Sequence, residues 1–322
     1  MADSYLPGVI LVHVPFSKEF AFLKKQSHFL AAISAFVVWG FIPFPLRALS
    51  EYSSLQILYF RLCLALLLLL IINLLFRRGA LRQSLNVFRV STRSEKHRSL
   101  LLSLAGGVLL SVNWLTFIYV MNHISIQTAS FAYLICPILT AMLGFLILKE
   151  ELRLNQWLAI GLSMLSCYLI GVSSLTNLLF SLMVSASYAF YLITQRLVKQ
   201  YDKMGLLNLQ LLISFVLISP LFFFLDAGIP SELPFYGWIF MLSTLFTVIP
   251  LFLNLYALNE LKSGTIGILM YVNPLINFGV AFLYYGESTG MHQLISYALI
   301  FLSILIYNLP VRSIRSKPVV QP

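Results

Sequence analysis

The sequence predicts an all-α integral membrane protein of ten transmembrane helices, built as two inverted five-helix repeats. Three observations predict it. The first is composition. Of 322 residues, 60% are hydrophobic and 10% charged, and the mean hydropathy is +0.90; a soluble chain carries about a quarter charged residues. Runs such as Leu62 to Phe76 and Leu206 to Leu225 are too apolar to share one soluble core. The second is length: ten apolar runs of about 17–23 residues can each cross roughly 30 Å of hydrocarbon as a helix. The third is an internal repeat. The stretch Thr128 to Glu150, TASFAYLICPILTAMLGFLILKE, returns without a gap 137 residues later. Thr128 falls on Thr265, Pro137 on Pro274, Phe145 on Phe282 and Glu150 on Glu287.

In chain order, residues 1–27 are mixed in composition and carry Lys18, Lys24 and Lys25. They show no signal-peptide pattern, because His13 and Pro15 break the apolar run and no basic residues precede it. They read as a cytoplasmic tail, and a start of translation near Lys24 is compatible with them. The spans follow at about 28–48, 55–76, 100–121, 125–148, 155–172, 177–198, 206–225, 236–258, 263–285 and 292–309. Backbone in lipid must satisfy its own hydrogen bonds, so these are helices rather than strands. Many links are only a few residues long, which packs neighbours antiparallel.

With these spans, every one of the 21 lysines and arginines except Arg47 and Arg61 falls on the side of the N-terminal tail. That asymmetry places both termini, including residues 310–322, in the cytoplasm. The net charge of +10 therefore reads as topology and contact with the lipid bilayer, not nucleic acid. The longest link, 77–99, holds seven basic residues and one acid, and Leu81, Leu85 and Phe88 share a helical face. Part of it should lie along the inner leaflet.

The earlier spans of each half also align, at a shift of 149: Trp39 on Tyr188, Phe41 on Phe190, Arg47 on Arg196, Tyr52 on Tyr201, Leu62 on Leu211. The repeats are thus 28–172 and 177–309. Five spans is an odd number, so the second copy enters from the opposite side. Such a pair supplies two related conformations, open to either face, which is how many secondary transporters alternate access.

Span four places Tyr133, Cys136, Pro137 and Thr140 on one face, and span nine does the same with Met270, Asn273, Pro274 and Asn277. Polar groups are costly in lipid, so both faces should point into the bundle. Each proline removes a backbone hydrogen bond and should kink its helix, making Pro137 and Pro274 candidate hinges. Together these helices would line a cavity; the alternative is interhelical hydrogen bonding without a ligand. Arg61 is the one charge well inside a span, with Gln210 at the equivalent position. It could hold a substrate carboxylate or phosphate, or instead snorkel to headgroups or cap carbonyls. Trp39, Trp114, Tyr119, Tyr188 and Tyr191, with Asn113, Asn122 and Asn254, suit the lining for an amphipathic small-molecule substrate. Tyr52, Tyr236 and Trp238 read as interfacial anchors. Glu150 and Glu287 end spans four and nine and are expected to cap or orient the next helix.

By these boundaries no Asp or Glu lies within a span and no histidine lies near a midplane, so no residue supports proton coupling. There is no GxxxxGK[ST] loop, no HExxH and no paired-aspartate metal motif, and no cofactor is expected. Cys63, Cys136 and Cys167 are odd in number and widely spaced, against a disulfide framework or zinc site. A membrane enzyme acting on lipid-soluble substrates, or a channel, is the alternative to a carrier. A homodimeric assembly is left open.

VVWGFIPFPLRALS with LYFRLCLALLLLL, then SVNWLTFIYVMN, ASFAYLICPILTAMLGFLILKEEL and NQWLAIG, resemble the EamA family of the drug/metabolite transporter superfamily, nearest its RarD-type branch. The densest motif is Asn113-Trp114 followed by Tyr133, Pro137, Glu150 and Gln156-Trp157. The resemblance implies ten helices in two repeats and export of small metabolites or drugs across a bacterial inner membrane. One departure stands out. The branch usually carries Asn before the proline of span four, where this chain has Cys136; the second copy keeps Asn273-Pro274.

Overall fold

The computed structural model describes residues 16–198, 200–225, 228–257, 260–261 and 269–309. Among them every regular element is a helix. The first span is α1 (Phe16–Gly40), a break at Phe41–Ile42, and α2 (Pro43–Ala48). Then come α3 (Ser54–Phe76), α4 (Arg78–Val90), α5 (Arg93–His123), α6 (Ile126–Leu148), α7 (Leu154–Ser173), α8 (Leu175–Leu197) and α9 (Lys203–Phe224). The next rod is α10 (Leu233–Ser243), a π-helical turn (Thr244–Val248) and α11 (Ile249–Ala257), followed by α12 (Val272–Leu283) and α13 (Met291–Asn308).

Nine rods among the described residues are long and apolar enough to cross a membrane; α12 is a shorter apolar helix. At 1.5 Å per residue α12 reaches only about 18 Å. The expectation of one helix over 263–285 is corrected here: residues 262–268 lie outside the described residues, Met270 sits in a turn, and Pro274 occupies the first turn of α12. A proline there leaves no helical hydrogen bond unmade, because first-turn N–H groups have no intrahelical acceptor. Pro137 does lie inside a continuous helix, as expected. The α1 helix begins at Phe16, ahead of the first candidate span, which runs Gln26–Ala48 close to the expected 28–48.

Local sequence sets the ends. Ser53 with Gln56, and Thr92 with Glu95, form capping boxes that start α3 and α5. The Asp202 carboxylate accepts the Gly205 N–H at the start of α9. Pro43 and Pro45 open α2 after the break in the first span. Lys149 takes a left-handed turn (φ 56°) that lets the Glu150 N–H return to the Gly144 carbonyl and end α6.

The rods pack with α7 against α13, α8 against α5 and α6, α1 against α11 and α12, and α3 against α9. Small polar side chains seal the α7–α13 seam: Ser163 and Ser303 hydroxyls lie 3.1 Å apart, and Ser166 donates to the Ser296 carbonyl at 2.7 Å. Gly40 lets α1 approach α12, since a Cβ there would fall 2.6 Å from the Ile276 Cβ. Outward faces are apolar, with Leu75, Phe224, Leu283 and Leu305 all exposed, as lipid-facing surfaces are. The α4 helix buries none of its residues. Its Ser84 hydroxyl accepts the Asp202 N–H at 2.9 Å, tying it to the start of α9.

Candidate functional site

A cavity of about 240 Å³ lies among α1, α3, α5, α6, α8, α9, α11 and α12. At its deep end is Arg61 of α3, only 4% exposed. Its guanidinium carbon sits 4.1 Å from the Trp114 ring centroid, and its Nε donates to Thr247 Oγ1 at 3.0 Å. No carboxylate pairs with it among the described residues.

The π-helical turn puts Thr247 there, and Pro250 accounts for one loose end of that turn. Proline has no N–H, so the Phe246 carbonyl lacks its donor four residues on. The indole N–H of Trp39, on α1, fills the vacancy at 3.0 Å. The Thr247 hydroxyl donates to the Leu242 carbonyl at 2.8 Å, leaving its lone pairs toward Arg61. Turns of this kind recur at functional sites.

An aromatic wall rises from this floor. Phe117 meets Tyr133 edge-on (5.3 Å between centroids), Tyr133 meets Tyr188 (5.7 Å), and Tyr188 stacks on Tyr191 (5.8 Å). Pro137 leaves the Tyr133 carbonyl without its helical donor. Among the described residues the cavity lining holds Arg61 and Lys203 but no acid. Ile42, Arg61 and Thr247 close one end and are buried, whereas Lys203 at the other end is exposed. The mouth therefore lies at the start of α9, on the basic face, where Arg77 Nη2 and Asp202 Oδ1 pair at 2.6 Å.

Of the residues expected at a site, Trp39, Arg61, Trp114, Tyr133, Tyr188, Tyr191, Asn254 and Asn273 line the cavity. Five others stand elsewhere, among them Asn122, which is buried but is not part of the lining. Tyr119 is 43% exposed and packs on His123 and Phe180. Asn113 is a strut between helices, donating to the Val184 carbonyl at 2.8 Å. Thr140 donates to the Cys136 carbonyl of its own helix, and Asn277 to Asn273 Oδ1. Thr247, Gln195 and Lys203 line the cavity without having been singled out. Pro250, inside the predicted eighth span, was the available signal for the turn that presents Thr247.

Beyond the closed end, Arg47 Nη2 and Glu287 Oε1 pair at 2.9 Å. The same carboxylate accepts the Ile126 N–H at 2.8 Å and the Gln127 N–H at 3.1 Å. Glu287 was expected to cap the helix after it; instead it caps α6, where exposed amide groups and the helix dipole favour an anion. Toward the mouth, Arg196 Nη1 contacts both Glu150 oxygens at 3.0 and 3.1 Å. The first pair is 24% and 15% exposed and the second 45% and 49%, so only the first is sheltered.

Apolar rods long enough to cross a bilayer, packed around an aromatic cavity whose described lining holds no carboxylate, define a multi-pass membrane protein. The chain belongs to the EamA-like transporter family, whose model matches residues 26–172 and again 175–309. It is 29% identical over 283 residues to an uncharacterized transporter of Vibrio cholerae, covering 87% of this chain and 91% of that one. It is 24% identical over 285 residues to the RarD protein of Escherichia coli, covering 86% and 92%, in keeping with the RarD-type branch. A solved structure described only as that of a protein shares the fold with a TM-score of 0.62 at 12% identity, over 90% of this chain and 99% of its own.

Proposed function

We propose that this membrane transporter is a secondary carrier that exports small metabolites or drugs by alternating access around the Arg61 cavity. The single observation that carries this reading is the pair of exchanged ion pairs. Arg47 and Arg196 are equivalent in the repeat, as are Glu287 and Glu150. Each arginine meets the glutamate of the other half, one pair beyond the sealed end of the cavity and one beside its mouth. Rocking one half against the other would exchange the sheltered pair and so exchange the open face.

The helix contacts support two five-helix repeats of opposite sense, 28–172 and 177–309. The pairing of α1 with α11 and α12 has its counterpart in α8 with α5 and α6, and that of α3 with α10 in α9 with α5. The contacts of α3 with α9, α6 with α12 and α7 with α13 are their own counterparts. The basic face is cytoplasmic on this reading, so the cavity faces inward.

The decisive test is counterflow into proteoliposomes with amino acids, nucleosides and antibiotics, with and without a pH gradient. Saturable accumulation is expected; large unitary currents, or chemistry on a lipid, would replace the carrier with a channel or an enzyme. Pro137, inside the continuous α6, and Pro274, at the start of α12 just after the turn at Met270–Tyr271, are the proposed hinges of the switch. Replacing both with alanine should slow turnover about tenfold, the effect of roughly 1.4 kcal/mol on the switching barrier, with little change in Kd. Full turnover in the double variant would remove that role.

A further inference from the structure

We propose that the solute taken by this cavity is an organic monoanion, a flat apolar body bearing one carboxylate that seats on Arg61. This rests on reading the chain as a carrier and adds the substrate class.

Three observations carry it. Arg47, Arg77 and Arg196 each meet a carboxylate within 3.0 Å. Among the described residues Arg61, at 4% exposure, has the Thr247 hydroxyl, the face of Trp114 and the nearby Tyr133 but no carboxylate. Arginine stays charged when buried, and a buried charge without a counter-charge is costly. A purely structural arginine would turn its terminal nitrogens to backbone carbonyls; among the described residues, its one hydrogen bond is from Nε to Thr247. Arg61 lines the cavity, and the fork of its Nη groups matches a carboxylate in geometry.

The second observation is the lining. Among the described residues no acid faces the cavity, and its other cation, Lys203, stands at the mouth, where it draws anions inward without being able to share the deep site. One cation at depth matches one negative charge, and a phosphate dianion would be left half neutralised. The third is shape. Trp114, Tyr133 and Tyr188 present rings, and about 240 Å³ falls below the roughly 300–1,000 Å³ of pockets for drug-sized ligands. The solute is therefore small and flat.

The test uses the full-length purified protein and pairs of compounds differing only in charge: benzoate and benzamide, 3-phenylpropionate and 3-phenylpropanamide, with phenyl phosphate added. Binding is read from quenching of tryptophan fluorescence, since Trp39 and Trp114 line the cavity, and transport from counterflow. Each carboxylate is expected to bind at least tenfold more tightly than its amide and better than phenyl phosphate. Arg61→Gln should bring that ratio to within twofold, chiefly by weakening the carboxylates, and Arg61→Lys should keep part of it. Amides equal to carboxylates on the wild-type protein overturn the proposal, and so does a carboxylate preference that survives Arg61→Gln. The wild-type pairs decide the matter even if the variants do not fold. Counterflow of amides without carboxylates removes the anion and keeps the carrier; failure of every solute in the broader counterflow panel removes the carrier itself.

Discussion

A cysteine placed at position 122 should react with a membrane-impermeant maleimide about tenfold faster when Glu287 is changed to Gln. Asn122 is buried beside the closed end, and both polar atoms of its side chain lack partners, so cysteine costs little there. Its backbone carbonyl accepts from Arg47 Nη1 at 3.4 Å. The substitution removes one charge from two interactions at once. Arg47 loses its counter-ion, and α6 loses the anion over its first amide groups. A carboxylate at a helix N-terminus contributes about 0.3–1 kcal/mol, up to about 2 when partly buried. A partly exposed ion pair adds up to about 1 kcal/mol. Together these approach the roughly 1.4 kcal/mol that shifts an equilibrium tenfold. Because the pair belongs to the sealed end, its loss opens that end. Glu150→Gln should act with the opposite sign, lowering the reactivity of the cysteine at 122. The measurement is the labelling rate in intact cells with Cys63, Cys136 and Cys167 replaced by alanine. Equal rates in both variants would dissociate the pairs from the switch.

The second large effect is expected at Trp114. Replacing it with leucine removes the ring beneath the Arg61 guanidinium and leaves a void beside it. A desolvated cation–π contact contributes about 2 kcal/mol or more, and deletion of a large aromatic typically costs about 3–5 kcal/mol, part of which leucine refills. Trp114→Leu should therefore lower the unfolding midpoint in detergent by several degrees. The informative variant adds Arg61→Met on top. If the lost stability is largely that of a stranded charge, removing the charge recovers part of it, and the double variant unfolds above the single one. Simple addition of the two losses would mean that the ring and the cation are energetically independent.

How much of this could be read from the sequence depends on the solvent. The spans were legible because hydrocarbon demands long uncharged runs, and Arg61 was legible as the one charge within them. The cavity-facing side chains were less so. In lipid the outer face of a helix is as apolar as its core, so periodicity does not separate the two. Tyr119 and Tyr133 look alike in the sequence; one faces outward and the other lines the cavity. The role of Glu287 was hidden for a different reason. Its partners, Arg47 and the first amide groups of α6, are 240 and 161 residues away. The repeat held a clue, since it aligns Arg47 with Arg196 and Glu150 with Glu287; only the contact between halves reveals that the partners cross. The start of α12 at Val272 was not legible, because a proline motif matched to the continuous α6 says nothing of where a helix begins.

The indole of Trp39 has one more implication. It supplies to the Phe246 carbonyl the proton that Pro250 lacks, so the two positions are expected to vary together. Among relatives that replace the proline with a residue bearing an amide hydrogen, the tryptophan is released from that duty and should drift. Where the proline persists, a hydrogen-bearing ring or side chain at position 39 should persist with it.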